Sequence, residues 1–124
     1  MTKYLGFDVG TRRTGVAFYE DVADMVLPLD TIEHESAAAL EVSIATLAKE
    51  RRVSDLVFGL PLLPSGKEGK QASLVRRLGE RLTNVGFSCS FLDERHSTPR
   101  GQVGDGDAKA AFDVLSVYLA KKRA

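Results

Sequence analysis

Two apolar segments joined by a short polar turn open the chain, and this pattern commits the N-terminal region to a β-sheet. Residues 4–9 and residues 14–18 are the two segments, and Asp8 stands near the end of the first, beside Gly10. One interpretation is a β-hairpin in which Asp8 serves the turn. The other is a strand-end carboxylate beside a flexible glycine loop, which suits divalent-metal and phosphate chemistry. The local pattern leaves both open.

The length of the chain bounds its organisation. With 124 residues it can build one hydrophobic core, so we expect a single domain over residues 1–124. No apolar run approaches the roughly 20 residues that a membrane span needs, and we expect no membrane attachment. Cys89 is the only cysteine, so no internal disulfide can form. Cys89 is expected in the core, and with no signal peptide expected before the first strand, the pattern favours a cytoplasmic location.

Charge is balanced overall but unevenly distributed. Lysine plus arginine and aspartate plus glutamate both number 17. Between Glu20 and Glu50 eight acidic residues face only one lysine, whereas residues 64–81 hold five basic residues against two glutamates. The basic side consists of Lys67, Lys70, Arg76, Arg77 and Arg81, with Arg95, Arg100 and the Lys121-Lys122-Arg123 tail as further candidates. These residues either bind along a phosphate backbone or simply form solvated helix faces and a charged tail.

Hydrophobic periodicity predicts eight elements. Ser36 is a plausible N-cap for the first helix. In chain order the predictions are strands at 3–9, 13–20 and 25–32, a helix to about Arg52, a strand at 54–59, a helix containing Leu74, Val75, Leu78 and Leu82, a strand at 87–92, and a final helix after a glycine-rich stretch at 99–106. The first three strands should form an antiparallel meander.

This order predicts an α/β fold in which a mixed sheet, the meander plus two parallel strands, is flanked by helices. The carboxyl ends of parallel strands share one sheet edge, where such folds bind ligands. Asp8 should therefore meet Asp93 or Glu94 there. Strand alternation places Asp93 on the side of Phe91 and Glu94 on the side of Leu92, which does not choose between them.

The final helix supplies a third acid. Asp107 falls on the apolar stripe of this helix, whereas Asp113 lies roughly 130° from the stripe centre at 100° per residue. We therefore expect Asp113 to be exposed, and Asp107 either to cap the helix or to face the sheet edge. Asp105, in the preceding loop, is a weaker substitute. The stripe itself is formed by Ala110, Ala111, Val114, Leu115 and Tyr118.

Three converging carboxylates would hold one or two hard cations, Mg²⁺ or Mn²⁺. Two such ions can activate a water and stabilise the leaving oxygen in phosphodiester cleavage. Histidine is not needed in this scheme. His34, in the acidic stretch, is expected to be exposed, and His96 is expected to be either a loop residue or a group that assists near the metals.

Four segments in order resemble the YqgF/RuvX family. They are residues 7–17 (FDVGTRRTGVA), residues 58–61 (FGLP) with Gly66 and Gly69, residues 93–95 (DER) with Ser97-Thr98, and Asp107 through Ala110-Ala111 to Tyr118-Leu119. Together they span nearly the whole chain. Two departures stand out: the segment between Arg95 and Asp107 is shorter than the family pattern, and Leu63 replaces a common asparagine.

The resemblance implies an RNase H-like fold related to the RuvC resolvases, with Asp8, Glu94 and Asp107 as the acidic positions. Between Asp93 and Glu94, the family pattern selects Glu94. It also implies a metal-dependent endonuclease that matures the 5′ end of pre-16S ribosomal RNA, or a nuclease that resolves branched DNA. The partner would be structured RNA or branched DNA, and the protein a monomer or a homodimer.

Nucleic-acid contacts are predicted at Arg12, Arg13, Gly59, Lys67, Lys70 and Arg95. The arginines would touch phosphates or the scissile strand, and the loop glycines would permit a close backbone approach. From another functional class, a ribosome-assembly module that binds nucleic acid without turnover fits the same residues. An actin-like ATP-binding protein is disfavoured because nothing in the chain supplies a second lobe.

Overall fold

The computed structural model describes residues 1–94 and 106–123. The elements in chain order are β1 (Lys3–Val9), β2 (Arg13–Glu20), β3 (Met25–Glu33), α1 (Ala37–Arg51), β4 (Asp55–Leu60), α2 (Lys70–Asn84), β5 (Ser88–Asp93) and α3 (Gly106–Arg123). The predicted element order is confirmed. The bounds of β1 and β2 agree to the residue, β3 ends one residue later than predicted, and both ends of β4 and β5 lie one residue later than predicted.

The five strands form one sheet in the order β3-β2-β1-β4-β5. The β1–β2 and β2–β3 pairs are antiparallel, and the β1–β4 and β4–β5 pairs are parallel. Both the predicted meander and the two parallel strands are therefore confirmed. Because β1, β4 and β5 run in the same direction, their carboxyl ends share one edge of the sheet.

Strand alternation divides the core into two layers. On one face Leu5 and Phe7 of β1 belong to a cluster with side chains of α1 and α2. Phe7 and Phe58 stack there with ring centroids 5.2 Å apart. On the opposite face Tyr4 and Leu92 belong to a second cluster with Leu115 and its neighbours on α3. Among the residues that the structure describes, α1 and α2 cover one face of the sheet and α3 covers the other.

Local signals explain where α1 begins and how its surroundings pack. The Ser36 side chain accepts a hydrogen bond from the Ala39 amide at 3.1 Å, which confirms the predicted N-cap. Cys89 is half-buried against the larger core, and burial raises the pKa of its thiol. No described helix combines the length and apolar character that crossing a bilayer requires.

Two exposure predictions are wrong. His34 is buried, at 8% relative exposure, because the chain after β3 returns beneath the β1–β2 turn. There its amide donates to the Arg12 carbonyl at 2.9 Å, and its Nε2 hydrogen-bonds with the Thr14 hydroxyl at 2.8 Å. The side chain of Asp113 is only 15% exposed, because partly buried positions flank the stripe of α3 and Lys109 pairs with Asp113 at 2.7 Å.

Candidate active site

Asp8 occupies the last-but-one position of β1, between two glycines of the neighbouring strands. Its cross-strand partner on β2 is Gly15. On the other side Phe7 pairs with Phe58, so the next position places Asp8 beside Gly59. Alternation from Tyr4 puts the Asp8 side chain on the face that α3 covers. The carboxylate therefore lies on the α3 side of the sheet, at its carboxyl edge, and it is partly exposed.

Glu94 reaches the same face from the end of β5. Leu92 packs against α3, and Glu94 follows it by two residues, whereas Phe91 belongs to the opposite layer. A Cβ built on Gly59 would lie 2.6 Å from Cδ of Glu94 and 2.8 and 2.9 Å from its two carboxylate oxygens. The Glu94 carboxylate thus fills the space that a side chain at Gly59 would take. Glu94 therefore lies on the face of the sheet that α3 covers, as Asp8 does, whereas alternation places Asp93 on the side of Phe91.

Asp107 comes to this edge on the first turn of α3. Its backbone carbonyl lies so close to Gly15 that any Cβ there would overlap it. The Asp107 side chain accepts a hydrogen bond from Nε of Arg13 at 2.7 Å. Asp107 therefore faces the sheet as the helical stripe predicted, and it meets β2 directly beside the position of Asp8.

Gly59 was predicted only as a nucleic-acid contact, and the sequence did not predict that glycines make room for the acids at this site. Gly6, Gly15 and Gly59 all lie on the α3 face, where Leu115, Asp107 and Glu94 respectively occupy the space of a side chain. The sequence did carry a signal for this. Gly6 and Asp8 are alternate residues of β1 and lie on the same face, and Gly15 and Ala17 are alternate residues of β2 that also share a face. Small residues on the same face of adjacent strands indicate where a helix approaches the sheet closely.

Arg13 connects the candidate site to the neighbouring meander strand. Besides its hydrogen bond to Asp107, its Nη1 lies 3.7 Å from Oε2 of Glu33 at the end of β3. The side chains of Arg13 and Asp107 are 52% and 34% exposed, so solvent screens the pair. This ion pair joins α3 to the strand that lies next to Asp8.

The donor chemistry of the site suits a hard cation, because all three candidate ligands are carboxylates. As they stand, however, no three His, Cys, Asp or Glu side chains within the described ranges are grouped closely enough to hold a metal ion. Asp107 instead engages Arg13. The backbone brings the three acids to one edge of one face, and closing a ligand shell would require side-chain rotation.

The basic residues proposed to contact nucleic acid differ in whether another described side chain pairs with them. Arg12, Lys67 and Lys70 are exposed. Lys70 begins α2 beside the end of β1, because the next residue, Gln71, donates to the Val9 carbonyl at 2.8 Å. Elsewhere on the basic side, Arg76 pairs with Glu68, Arg81 with Glu41, and Arg123 with Asp24. Arg95, His96, Arg100 and Asp105 lie outside the described residues.

The architecture is that of the RuvC resolvases within the RNase H-like class. The structure of RuvC from Thermus thermophilus has a TM-score of 0.64 at 10% identity and covers 98% of this chain and 96% of its own. The structure titled T. thermophilus RuvC in complex with Holliday junction substrate has a TM-score of 0.67 at 8% identity, over 100% and 98% of the two chains. At these identities the similarity shows the fold alone.

Sequence comparison identifies the family. Residues 2–120 match the RuvX family, described as Holliday junction resolvase, and the chain belongs to that family. A protein of Anaeromyxobacter sp. (strain Fw109-5), named "Putative pre-16S rRNA nuclease", is 38% identical over 98% of this chain and 99% of its own length. A protein of the same name from Synechococcus elongatus is 34% identical over 96% and 89%. The predicted YqgF/RuvX membership is confirmed.

Proposed function

We propose that this chain is a metal-dependent endonuclease that hydrolyses phosphodiester bonds during maturation of the 5′ end of pre-16S ribosomal RNA. Membership of a nuclease family and the names of its relatives support the reaction and the substrate. In this proposal residues 1–124 form a single nuclease domain that works in the cytoplasm.

One observation carries the proposal: Asp8 is flanked by two glycines whose side-chain space is taken by the other two acids. Glu94 places its carboxylate over Gly59, and Asp107 places its backbone over Gly15. Three segments far apart in the sequence thereby bring carboxylates to one edge of the sheet. A structural core gains nothing from gathering like charges, whereas a cation site requires it.

We assign Asp8, Glu94 and Asp107 as the residues that hold Mg²⁺ or Mn²⁺. When bound, such ions supply an activated water and stabilise the leaving oxygen of the cleaved strand. The chain itself provides the fixed positions: Asp8 on a central strand, Glu94 at the end of β5 and Asp107 on the first turn of α3. Gly59 then makes room for Glu94 and does not contact nucleic acid itself, because it is buried.

Nucleic acid would approach from the exposed side of this edge. Arg12, Lys67 and Lys70 are solvent-accessible near the carboxyl ends of β1 and β4 and can contact phosphates. The basic residues farther along α2 contribute less, because Arg76 and Arg81 already pair with glutamates. We therefore place the phosphate contacts around the acids and not along the whole basic side.

The test is cleavage of end-labelled pre-16S RNA and of a four-way DNA junction, each with Mg²⁺, Mn²⁺ or EDTA. Wild type should cut the RNA only when metal is present, and Asp8→Asn, Glu94→Gln and Asp107→Asn should bind it without cutting. Asp113→Asn is the matched control, because it removes a carboxylate from the same helix at a position paired with Lys109. It should cut as wild type does.

Other outcomes separate the rival functions. Preferential metal-dependent cutting of the DNA junction would favour a resolvase, which needs two symmetric sites and hence a homodimer detectable by light scattering. Binding without cleavage by every variant and by wild type would favour a ribosome-assembly module. Cleavage that persists in Asp8→Asn would remove Asp8 from the proposed site.

A further inference from the structure

The guanidinium of Arg13 lies between two carboxylates that belong to different elements. Its Nε donates to Oδ2 of Asp107 at 2.7 Å, and its Nη1 lies 3.7 Å from Oε2 of Glu33. Asp107 lies in the first turn of α3 and Glu33 ends β3. A fixed positive charge therefore sits directly on one of the three acids that we assign as metal ligands.

The pair between Arg13 and Asp107 can be displaced. The Arg13 side chain is 52% exposed and that of Asp107 is about one-third exposed, at 34%, and ion pairs open to solvent in this way are weak. A divalent cation carries twice the charge of a guanidinium and attracts a carboxylate correspondingly more strongly at the same distance. The Glu33 side chain, 79% exposed, offers Arg13 a second acceptor once Asp107 is lost.

We propose that Arg13 is an internal counter-ion of Asp107 that competes with a divalent metal ion for its carboxylate. The inference rests on the proposed function, because it takes Asp107 as a metal ligand. Arg13 is then a positioning residue: it neutralises Asp107 and holds the first turn of α3 against β2 until metal binds. Arg12, its exposed neighbour, makes no ion pair with any described residue and is the arginine left to contact a phosphate.

The test measures Mn²⁺ binding to the protein without nucleic acid, by the electron paramagnetic resonance signal of free Mn²⁺ at low ionic strength. Arg13→Gln should tighten Mn²⁺ binding by about two- to fivefold, the range expected when a weak exposed pair is removed. Arg12→Gln is the matched control, because it removes the same charge one residue away. It should tighten binding clearly less than Arg13→Gln does.

Two results would overturn the proposal. Equal tightening in both variants would show that only the general electrostatic field changes. Weaker Mn²⁺ binding by Arg13→Gln would show that Arg13 organises Asp107 for the metal and does not compete with it. Far-UV circular dichroism and melting in EDTA establish that both variants fold like wild type before their affinities are compared.

A double-mutant cycle separates this inference from the proposed function. In Asp107→Asn, Mn²⁺ should bind more weakly, and adding Arg13→Gln should tighten it no more than Arg12→Gln does. If Asp107→Asn leaves the affinity unchanged, Asp107 is no ligand, and both the assigned ligand set and the competition fail. If the cycle behaves as expected while wild type cuts no substrate, the nuclease proposal fails and the competition stands, because the readout does not involve cleavage.

Discussion

The carboxylate of Glu94 lies against the bare backbone of Gly59, with Cδ 2.6 Å from the position of a built Cβ. The Glu94 side chain can adopt this conformation only because residue 59, on a different strand, has no side chain. Because the conflicting atoms are the far end of a flexible side chain, a methyl group at position 59 would displace them without disturbing the backbone.

Gly59→Ala is therefore expected to lower nuclease activity while leaving stability nearly intact. A displacement of about 1 Å in a reacting group can cost on the order of 10²-fold in rate. Cleavage rate and thermal melting, measured on the same preparation, check this. The matched control is Gly6→Ala on the same face, where the Cβ would lie 2.9 Å from Cβ of Leu115. That variant should lose stability instead, and a large stability loss in Gly59→Ala would contradict our interpretation.

Gly15→Ala should destabilise the docking of α3. The backbone carbonyl of Asp107 occupies the place of the new methyl group, and backbone cannot rotate away as a side chain can. Overpacking of this kind typically costs about 1–3 kcal/mol. Urea unfolding should show the loss, and amide exchange should speed up in the first turns of α3. Gly106→Ala, where no atom lies within 4 Å of the added Cβ, should be close to neutral.

Protonation of His34 should destabilise the protein at acidic pH. Burial lowers the pKa of this histidine, and its Nδ1 is buried without a hydrogen-bond partner among the described residues. An imidazolium would have to bury that N–H with no acceptor. Since the folded pKa is below the unfolded value, the stability contributed by neutral His34 is complete above about pH 6.5 and is lost as pH falls through the folded pKa.

The measurement is the free energy of unfolding in urea between pH 5 and pH 8, for wild type and His34→Gln. Wild type should lose more stability than the variant between pH 7.5 and pH 5, because the glutamine does not titrate. Carboxylates that titrate at the acid end are common to both proteins and cancel in the difference. Parallel curves would show that His34 titrates as it does in the unfolded chain.

Lys70→Gln should weaken nucleic-acid binding more than Arg76→Gln. Lys70 is exposed beside the carboxyl end of β1, whereas Arg76 pairs with Glu68 at 3.0 Å and lies over the Phe91 ring. Removing one phosphate contact should reduce the slope of log affinity against log salt by about 1. Filter binding across a salt series measures both slopes. An equal slope change in both variants would show that phosphates are contacted along the whole of α2 and not only at its start.

The sheet was predictable because local patterns and topology rules agree. The apolar segments predicted the bounds of the first two strands to the residue, and the order of elements predicted which strands run parallel. The position of Asp8 at the carboxyl edge followed from the same rules. The helical stripe likewise predicted that Asp107 meets the sheet, where Arg13 of β2 pairs with it, but the prediction that Asp113 is exposed was wrong.

What failed depended on contacts between distant segments. His34 stands among acidic residues, and nothing local shows that the turn holding Arg12 lies above it. The side of the sheet that α3 covers decides between Asp93 and Glu94, and alternation within β5 alone carries no information about that helix. Likewise the ion pair between Arg13 and Asp107 joins residues 94 positions apart in the sequence, and no local pattern predicts it.

The candidate ligands are separated along the chain, since Asp8 lies on the first strand and Asp107 on the last helix. During synthesis the ribosome therefore releases Asp8 early and Asp107 only with the final 18-residue helix. A nascent chain that has completed its sheet still lacks the third acid. In this proposal a nascent chain gains all three acids only once α3 has been synthesised, and a product truncated before α3 could not assemble the proposed metal site.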